Sequence, residues 1–443
     1  MQKNVNIYRH LIFFCMLSLS ACHMQDEKID EIGTLAKGWK GEIIAEIDQS
    51  YAGWDVEIGD ADNDGLNEIL ITGCPDSRLY LLKKIDQKWK TKLLADKLAH
   101  NYPGMGLVVK VLDLNSDGQN EIIVGTGQET GETAFFYTFQ MKSNKLVELK
   151  SIQPESNKSS YTHNFASFDV DKDGLLEVFS AYCGGGEIIR YDFDRQLNRL
   201  NARKIHQLSG SGEESLISDV DNDGKVEFIT SNSYRHENAK IEIFEFADDG
   251  ELEALPRITI NGFGDNKCFY ASAIIGDIDN DSRNELIVGW KKKQDINVAT
   301  ILGYRIDKNA TPLYTFAYED ESLDLGYFEK MMVVADADND GKNELVVSTR
   351  GDELSEKVST SKHLGHVYLY SVNQNADINR ELLVNFNEKV GSSWIDVGDA
   401  DHDQKNEIII ATGKGDRTKP GISHVVLVEK ESFRIIDLLR NIF

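Results

Sequence analysis

The sequence predicts an all-β fold, a seven-bladed β-propeller with calcium-binding loops in its blade hairpins. Two observations predict the propeller. One nine-residue acidic loop recurs seven times at near-constant spacing, and strand-like apolar runs flank each copy. A third observation, the placement of the charge, says what the loops are for.

The N-terminus reads as an address, with residues 1–21 as a signal peptide. Lys3 and Arg9 precede an apolar run at residues 11–17, too short for a finished membrane span. The run ends in Leu19-Ser20-Ala21-Cys22, which resembles the lipobox of bacterial lipoproteins. That resemblance implies acyl chains on Cys22, a membrane partner through that anchor, and residues 22–37 as a polar tether. His23, where an aspartate would retain a Gram-negative lipoprotein at the inner membrane, implies the outer membrane and a cell-envelope location. The remainder, residues 38–443, is expected to be the propeller.

The first loop reads Asp60-Ala61-Asp62-Asn63-Asp64-Gly65-Leu66-Asn67-Glu68. Its acidic or amide positions 1, 3, 5 and 9 recur as Asp113, Asn115, Asp117, Glu121 and as Asp169, Asp171, Asp173, Glu177. They recur again as Asp219, Asp221, Asp223, Glu227, as Asp277, Asp279, Asp281, Glu285, as Asp336, Asp338, Asp340, Glu344, and as Asp399, Asp401, Asp403, Glu407. First aspartates lie 53, 56, 50, 58, 59 and 63 residues apart. Calcium takes six to eight oxygens at about 2.3–2.6 Å, and alternate residues of a tight loop can aim carboxylates at one point. Position 7 varies freely, as expected if only its backbone carbonyl is used, and position 6 is the glycine of a sharp turn. Ser282 and Gln404 replace that glycine in loops five and seven, which predicts weaker sites there.

Charge supports a metal. Asp and Glu outnumber Lys and Arg by 74 to 48, a net charge of −26, which argues against a nucleic-acid partner. Twenty-seven of the acidic residues lie in the seven loops, so the rest of the chain is nearly neutral. Carboxylates packed this closely repel unless a cation joins them, and up to seven Ca²⁺ are expected.

An EF-hand places its glutamate at position 12, between helices. Here position 9 opens into a strand, as at residues 69–71, 122–124, 286–288, 345–347 and 408–410, and a strand leads in at residues 54–58. Two further strand-like runs follow, at residues 79–82 and 89–94 in the first unit and 366–370 and 382–384 in the sixth. Four strands per unit, seven times, is the pattern of propeller blades. Residues 39–47 resemble the outer strand at 89–94 yet have no blade before them; they, or residues 433–439, would complete the seventh blade and close the ring.

The unit from Gly59 to Gly73 resembles the FG-GAP (VCBS-type) repeat of the integrin α-chain N-terminal propeller, and the likeness covers about residues 39–443. It implies a seven-bladed propeller with Ca²⁺ held by Asp60, Asp62, Asp64 and their equivalents. The family usually has aspartate at position 9, where every copy here has glutamate.

On the face opposite the loops, aromatic residues recur: Tyr51, Trp54, Tyr102, Tyr161, Tyr234, Phe269, Tyr270, Trp290, Tyr327, Phe328 and Trp394. Such rings suit a glycan or protein ligand, with packing between blades as the alternative. His100, His163 and His236 fall on the same side. Cys74, Cys183 and Cys268 are expected to stay out of disulfides. No nucleophile elbow, zinc motif or phosphate loop is present. The leading expectation is a non-enzymatic binding, adhesion or scaffold module; the alternative is a polysaccharide lyase on a calcium-stabilised propeller, using His or Tyr of the aromatic face.

Overall fold

The computed structural model describes residues 29–49, 51–100, 104–128, 134–154, 161–233, 239–262, 268–292, 299–320, 323, 330–349, 365–373, 375–387, 393–413 and 421–431. Their regular structure is β-strand apart from one 3-10 turn at Ile29–Glu31. The strands follow the repeats. Unit one is an antiparallel sheet of Tyr51–Gly59, Glu68–Cys74, Leu79–Ile85 and Lys88–Ala95. Unit five repeats it with Cys268–Gly276, Glu285–Lys292, Ala299–Ile306 and Ala310–Asp320. Units two and three share one sheet because Tyr161 pairs with both Gly127 and Cys183.

Burial explains why each strand type has its composition. The second strand is covered on both faces: every residue of Glu68–Cys74, Glu177–Cys183 and Glu407–Thr412 is buried. Such strands read as continuous apolar runs, each large aliphatic contributing about 1.5–3 kcal/mol by leaving water. The fourth strand is an edge. Lys88–Ala95 has only exposed and half-buried residues, and its lysines discourage further pairing.

The first strands point inward together. Glu57, Lys110, Ala166, Ile217, Ile274, Val333 and Val397, one from each unit, line a single cavity of about 520 Å³. First strands from all the repeats thus converge on one cavity, a propeller-like arrangement.

The ring closes through the N-terminal strand. Trp39–Ile47 pairs antiparallel with Ser423–Lys430, from Trp39↔Lys430 to Ile47↔Ser423, completing the last sheet. Residues 433–439, the other candidate, lie outside the described residues. The tether expectation needs correction over residues 29–37. Gly33–Leu35 pairs with the edge strand of unit six, and Ile29 and Ile32 are 5% and 3% exposed in the core shared with Trp39, Leu383 and Phe386. The sparse apolar residues among Asp30, Glu31 and Thr34 are enough to pin the strap between two sheets. Cys22 and the rest of residues 1–28 lie outside the described residues. Among the described residues no helix is long and apolar enough to cross a membrane.

Candidate metal centres

All seven acidic loops have one backbone design. The position 1 aspartate accepts hydrogen bonds from the N–H groups of positions 5 and 6, at 2.8–3.1 Å in every copy. Position 5 accepts from position 7, and Oε2 of the position 9 glutamate accepts from the N–H of position 2, as in Glu68 to Ala61 (3.0 Å) and Glu407 to Ala400 (2.9 Å). In five loops the position 5 N–H also donates to Oδ1 of position 3, so these bonds fix the ring of carboxylates and leave Oε1 of position 9 and the second oxygens of positions 3 and 5 uncommitted to the loop backbone. Ligand atoms of Asp60, Asp62 and Glu68 lie within 4.8 Å of one another, as do those of Asp169, Asp171 and Glu177, of Asp219, Asp221 and Glu227, and of Asp277, Asp279 and Glu285.

Loops five and seven were expected to turn less easily without glycine. Instead Ser282 and Gln404 adopt the left-handed turn at φ 68° and 69°, beside 83–91° for the glycines of the other five. The bonds from their N–H groups to Asp277 and Asp399 hold them there.

What separates the loops is a residue outside the motif. In unit one, Lys83 stands one step past the Ile69–Leu82 pair, across from Glu68. Its Nζ lies 2.7 Å from Asp62, 2.6 Å from Asp64 and 2.8 Å from Glu68. In unit five Arg305 takes the same place, with Nη2 at 3.6, 3.0 and 2.9 Å from Asp279, Asp281 and Glu285. Arg190 reaches two carboxylates of loop three, Asp171 (3.0 Å) and Glu177 (3.5 Å). Loops four, six and seven have a cation on position 3, Arg257 on Asp221 (2.7 Å), Lys430 on Asp338 (3.8 Å) and Lys84 on Asp401 (2.6 Å), and loop seven adds its own Lys405 on position 5, 3.6 Å from Asp403. In loop two Asn115 replaces the position 3 acid and Gln140 donates to Glu121 (3.2 Å).

The buried glutamates register the difference. Burial pushes Glu344 and Glu407 up to about 8, and Glu121, Glu177 and Glu227 up to about 7. Glu285 is pushed only to about 6, since Arg305 opposes the burial. Glu407 Oε1 is buried with no hydrogen-bond partner among the described residues, as are Asp62 Oδ1 and Glu68 Oε1 of loop one, the last facing Lys83 Nζ at 2.8 Å. An all-oxygen donor set with a buried, unsatisfied carboxylate oxygen fits a hard divalent cation.

Sequence reasoning missed the asparagines that tie the loops to one another. Asn120 donates to the Asp60 carbonyl (2.8 Å) and its N–H meets the Asn63 side chain. Asn284 with Asn222, Asn343 with Asn280, and Asn406 with Asn339 repeat the clasp, and Asn67 with His402 carries it across the ring closure. The signal was present: asparagine at position 8 of a loop goes with a polar residue at position 4 of the loop before it. Leu176 and Val226 break the pattern in loops three and four.

Three of the residues expected on an aromatic ligand face are buried instead. Tyr270, Trp290 and Trp394 are 6%, 1% and 5% exposed and packed in the cores, and Trp290 donates to the Tyr304 hydroxyl (3.3 Å). The rings of Trp290 and Trp394 meet residues of neighbouring sheets, so for these two packing wins. Tyr161 is half-buried, while Tyr102, Tyr234, Tyr327, Phe328 and the side chains of Tyr51, Trp54 and Phe269 lie outside the described residues. His100 is exposed, His163 is buried, and His236 lies outside the described residues. None of Cys74, Cys183 and Cys268 is in a disulfide.

The central cavity is polar instead. Lys330 of unit six sits 3.3 Å from Asp55 and beside Glu57 of unit one, and 3.8 Å from Asp396 of unit seven. Lys110 of unit two reaches Glu57 at 3.4 Å. Burial raises Asp55 and Asp396, whereas Lys110 and Lys330 outweigh burial and hold Glu57 below its ordinary value. Glu214, pushed by burial up to about 7, accepts from Ser272 at 2.8 Å across the same opening. These bonds tie successive units around the axis.

Residues 219–288 match the model of the FG-GAP-like repeat. No curated protein matches the chain. Among solved structures it is similar to BBS1N, determined in complex with ARL6DN, at 10% identity over 89% of this chain and 96% of that one, with a TM-score of 0.49. It is also similar to the exotype rhamnogalacturonan lyase YesX, at 13% identity over 90% of this chain and 74% of that one, with a TM-score of 0.47. The chain thus carries an FG-GAP-like repeat at residues 219–288, the stretch that holds its fourth and fifth acidic loops.

Proposed function

We propose that the chain is a calcium-stabilised, seven-bladed propeller that serves as a binding or scaffold module for a glycan or protein at the bacterial envelope, tethered through acyl chains on Cys22. The observation that carries the calcium reading is the uniform loop: one backbone design in seven copies converging three or four carboxylates, with Glu407 Oε1 buried and unsatisfied in the last. Asp60, Asp62, Asp64, Glu68 and their equivalents are the ligand positions, with Lys83 and Arg305 competing with the ion for loops one and five. Bound Ca²⁺ supplies the positive charge that closely packed carboxylates lack; the chain's own part is to preset their geometry through the N–H bonds of each loop.

The ligand surface moves from the aromatic residues to the axis. The cavity lined by Lys110, Lys330, Glu57 and Glu214 offers both charge signs and hydrogen-bond acceptors on rigid strands, which suits hydroxyl- or carboxylate-bearing sugars or a polar peptide loop.

The deciding experiment compares the chain in excess Ca²⁺ and in EDTA by calorimetry, counting ions by titration. A large calcium-dependent rise in Tm supports the reading, and superimposable melts would sink it. Passing acidic polysaccharides over the immobilised protein separates the functions: retention indicates a binder, and unsaturated products indicate a lyase. Palmitate labelling that disappears in Cys22→Ser would support the anchor.

A further inference from the structure

Away from the acidic loops, three chemically different ligands meet at the seam between units three and four. His163 and Glu213 each lie six residues before the first aspartate of their loop, so they occupy the same position in adjacent units. Cys183 ends the second strand of unit three, opposite Tyr161. Ligand atoms of all three lie within 4.8 Å of one another, and the residues are 3%, 1% and 7% exposed for His163, Glu213 and Cys183. Glu213 Oε2 stands 3.6 Å from His163 Nε2, and the Cys183 thiol hydrogen-bonds the same carboxylate. Its other oxygen accepts from Ser211 (3.2 Å), whose hydroxyl is held by the Gly184 N–H (2.9 Å). The His163 ring lies parallel to Tyr161, 5.8 Å between centroids, which fixes its orientation.

We propose that His163, Cys183 and Glu213 form a buried site for one divalent metal of the zinc class, separate from the calcium loops. The donor set is one imidazole nitrogen, one thiolate and one carboxylate oxygen, the combination that borderline-soft cations favour and calcium does not. A neutral imidazole, a thiolate and a carboxylate around a divalent ion sum to zero charge, as a site removed from water requires. Ser211 and Gly184 hold the Glu213 carboxylate from behind, the outer support that metal-ligating groups ordinarily have. Unit one provides an internal contrast: Cys74 occupies the strand position of Cys183, but the positions of His163 and Glu213 are taken by Trp54 and Leu107. The metal would enter as units three and four come together, coupling it to folding.

The test uses the full chain refolded with Co²⁺ in excess Ca²⁺, so that the oxygen-rich loops are filled. The expected result is a thiolate-to-cobalt charge-transfer band saturating at about one equivalent and displaced by Zn²⁺. Cys183→Ser should abolish the band, while Cys74→Ser and Cys268→Ser leave it intact. Absence of the band in the wild-type chain, or its loss in Cys268→Ser with retention in Cys183→Ser, overturns the assignment. Should Cys183→Ser not fold, metal content of wild type refolded with zinc decides. About one zinc per chain that survives dialysis against calcium supports the site, and zinc at background refutes it.

Discussion

Loops one and seven share a motif, a hydrogen-bond scheme and a neighbouring place in the ring, yet they solve the charge problem differently. In loop one Lys83 lies against three carboxylates. In loop seven Lys84, its neighbour in sequence, reaches across the closure to Asp401, Lys405 of the loop itself stands 3.6 Å from Asp403, and Glu429 rather than a cation faces Glu407. Two like charges at 4 Å repel by about 4 kcal/mol at the effective dielectric of a protein surface. Loop one answers that repulsion with one lysine against three carboxylates, and loop seven leaves Glu407 without a facing cation among the described residues. Loop five sides with loop one through Arg305; loop six sides with loop seven. A shared motif therefore does not by itself fix a loop's charge balance, which depends on whichever residue the next strand presents.

The largest test of this contrast is metal removal. Each site filled at a hundredfold excess over its Kd stabilises by about 2.7 kcal/mol, so several together should shift Tm by tens of degrees. Titration should count about five ions rather than seven, with loops one and five empty. A count of seven would erase the distinction.

Next in size is Lys83→Ala. Removing the cation leaves buried carboxylates unpaired and should cost about 3 kcal/mol in EDTA, with the loss recovered in calcium and one more ion bound. Lys430→Ala at loop six, where the contact to Asp338 is 3.8 Å, should change stability by less than about 1 kcal/mol in either buffer. Denaturant melts of both variants, with and without calcium, read the difference.

A pH series sharpens it further. Glu344 and Glu407 have ordinary values of 4.5 when exposed and are pushed to about 8 by burial. Groups raised by folding bind protons more tightly in the folded state, so their stabilisation is complete below pH 4.5 and lost as pH rises toward 8. In EDTA the Tm should accordingly fall across that window, and calcium, by replacing the proton, should flatten the fall. Lys83→Ala should steepen it in EDTA, because Glu68 is then raised by burial without its counter-charge.

The local parts of this architecture were legible in the sequence. Loops and second strands announce themselves because carboxylate spacing and unbroken apolar runs are short-range signals, and Trp39–Ile47 matched an outer strand well enough to suggest closure. What stayed hidden depends on who faces whom. Lys83 and Arg305 are unremarkable strand residues until register places them across from Glu68 and Glu285. Trp290 and Trp394 look alike whether a sheet or solvent covers them; the neighbouring unit covers them here. The strap Ile29–Leu35 has too few apolar residues to stand out, and its burial follows from a groove that exists only once the ring is closed.

The smallest expected effect concerns the clasps. Asn120→Ala removes the donor to Asp60 O across the seam of units one and two and should cost about 1 kcal/mol, as a part-buried neutral hydrogen bond does. Asn67→Ala breaks the same clasp where the chain closes on itself, donating to Asp399 O at 2.9 Å. If the ring is held mainly by its cores, the two variants should be equal. If the closure seam, which joins strands from opposite ends of the chain, is the first to open, Asn67→Ala should speed amide exchange in Trp39–Ile47 and Ser423–Lys430 more than Asn120→Ala speeds it anywhere. Units three and four already do without the clasp, with Leu176 and Val226 in its place, so the seam before each of them sets the exchange expected when no clasp exists. Closure-strand exchange no faster than at those two seams would show that the position 8 asparagine is dispensable even where the ring joins.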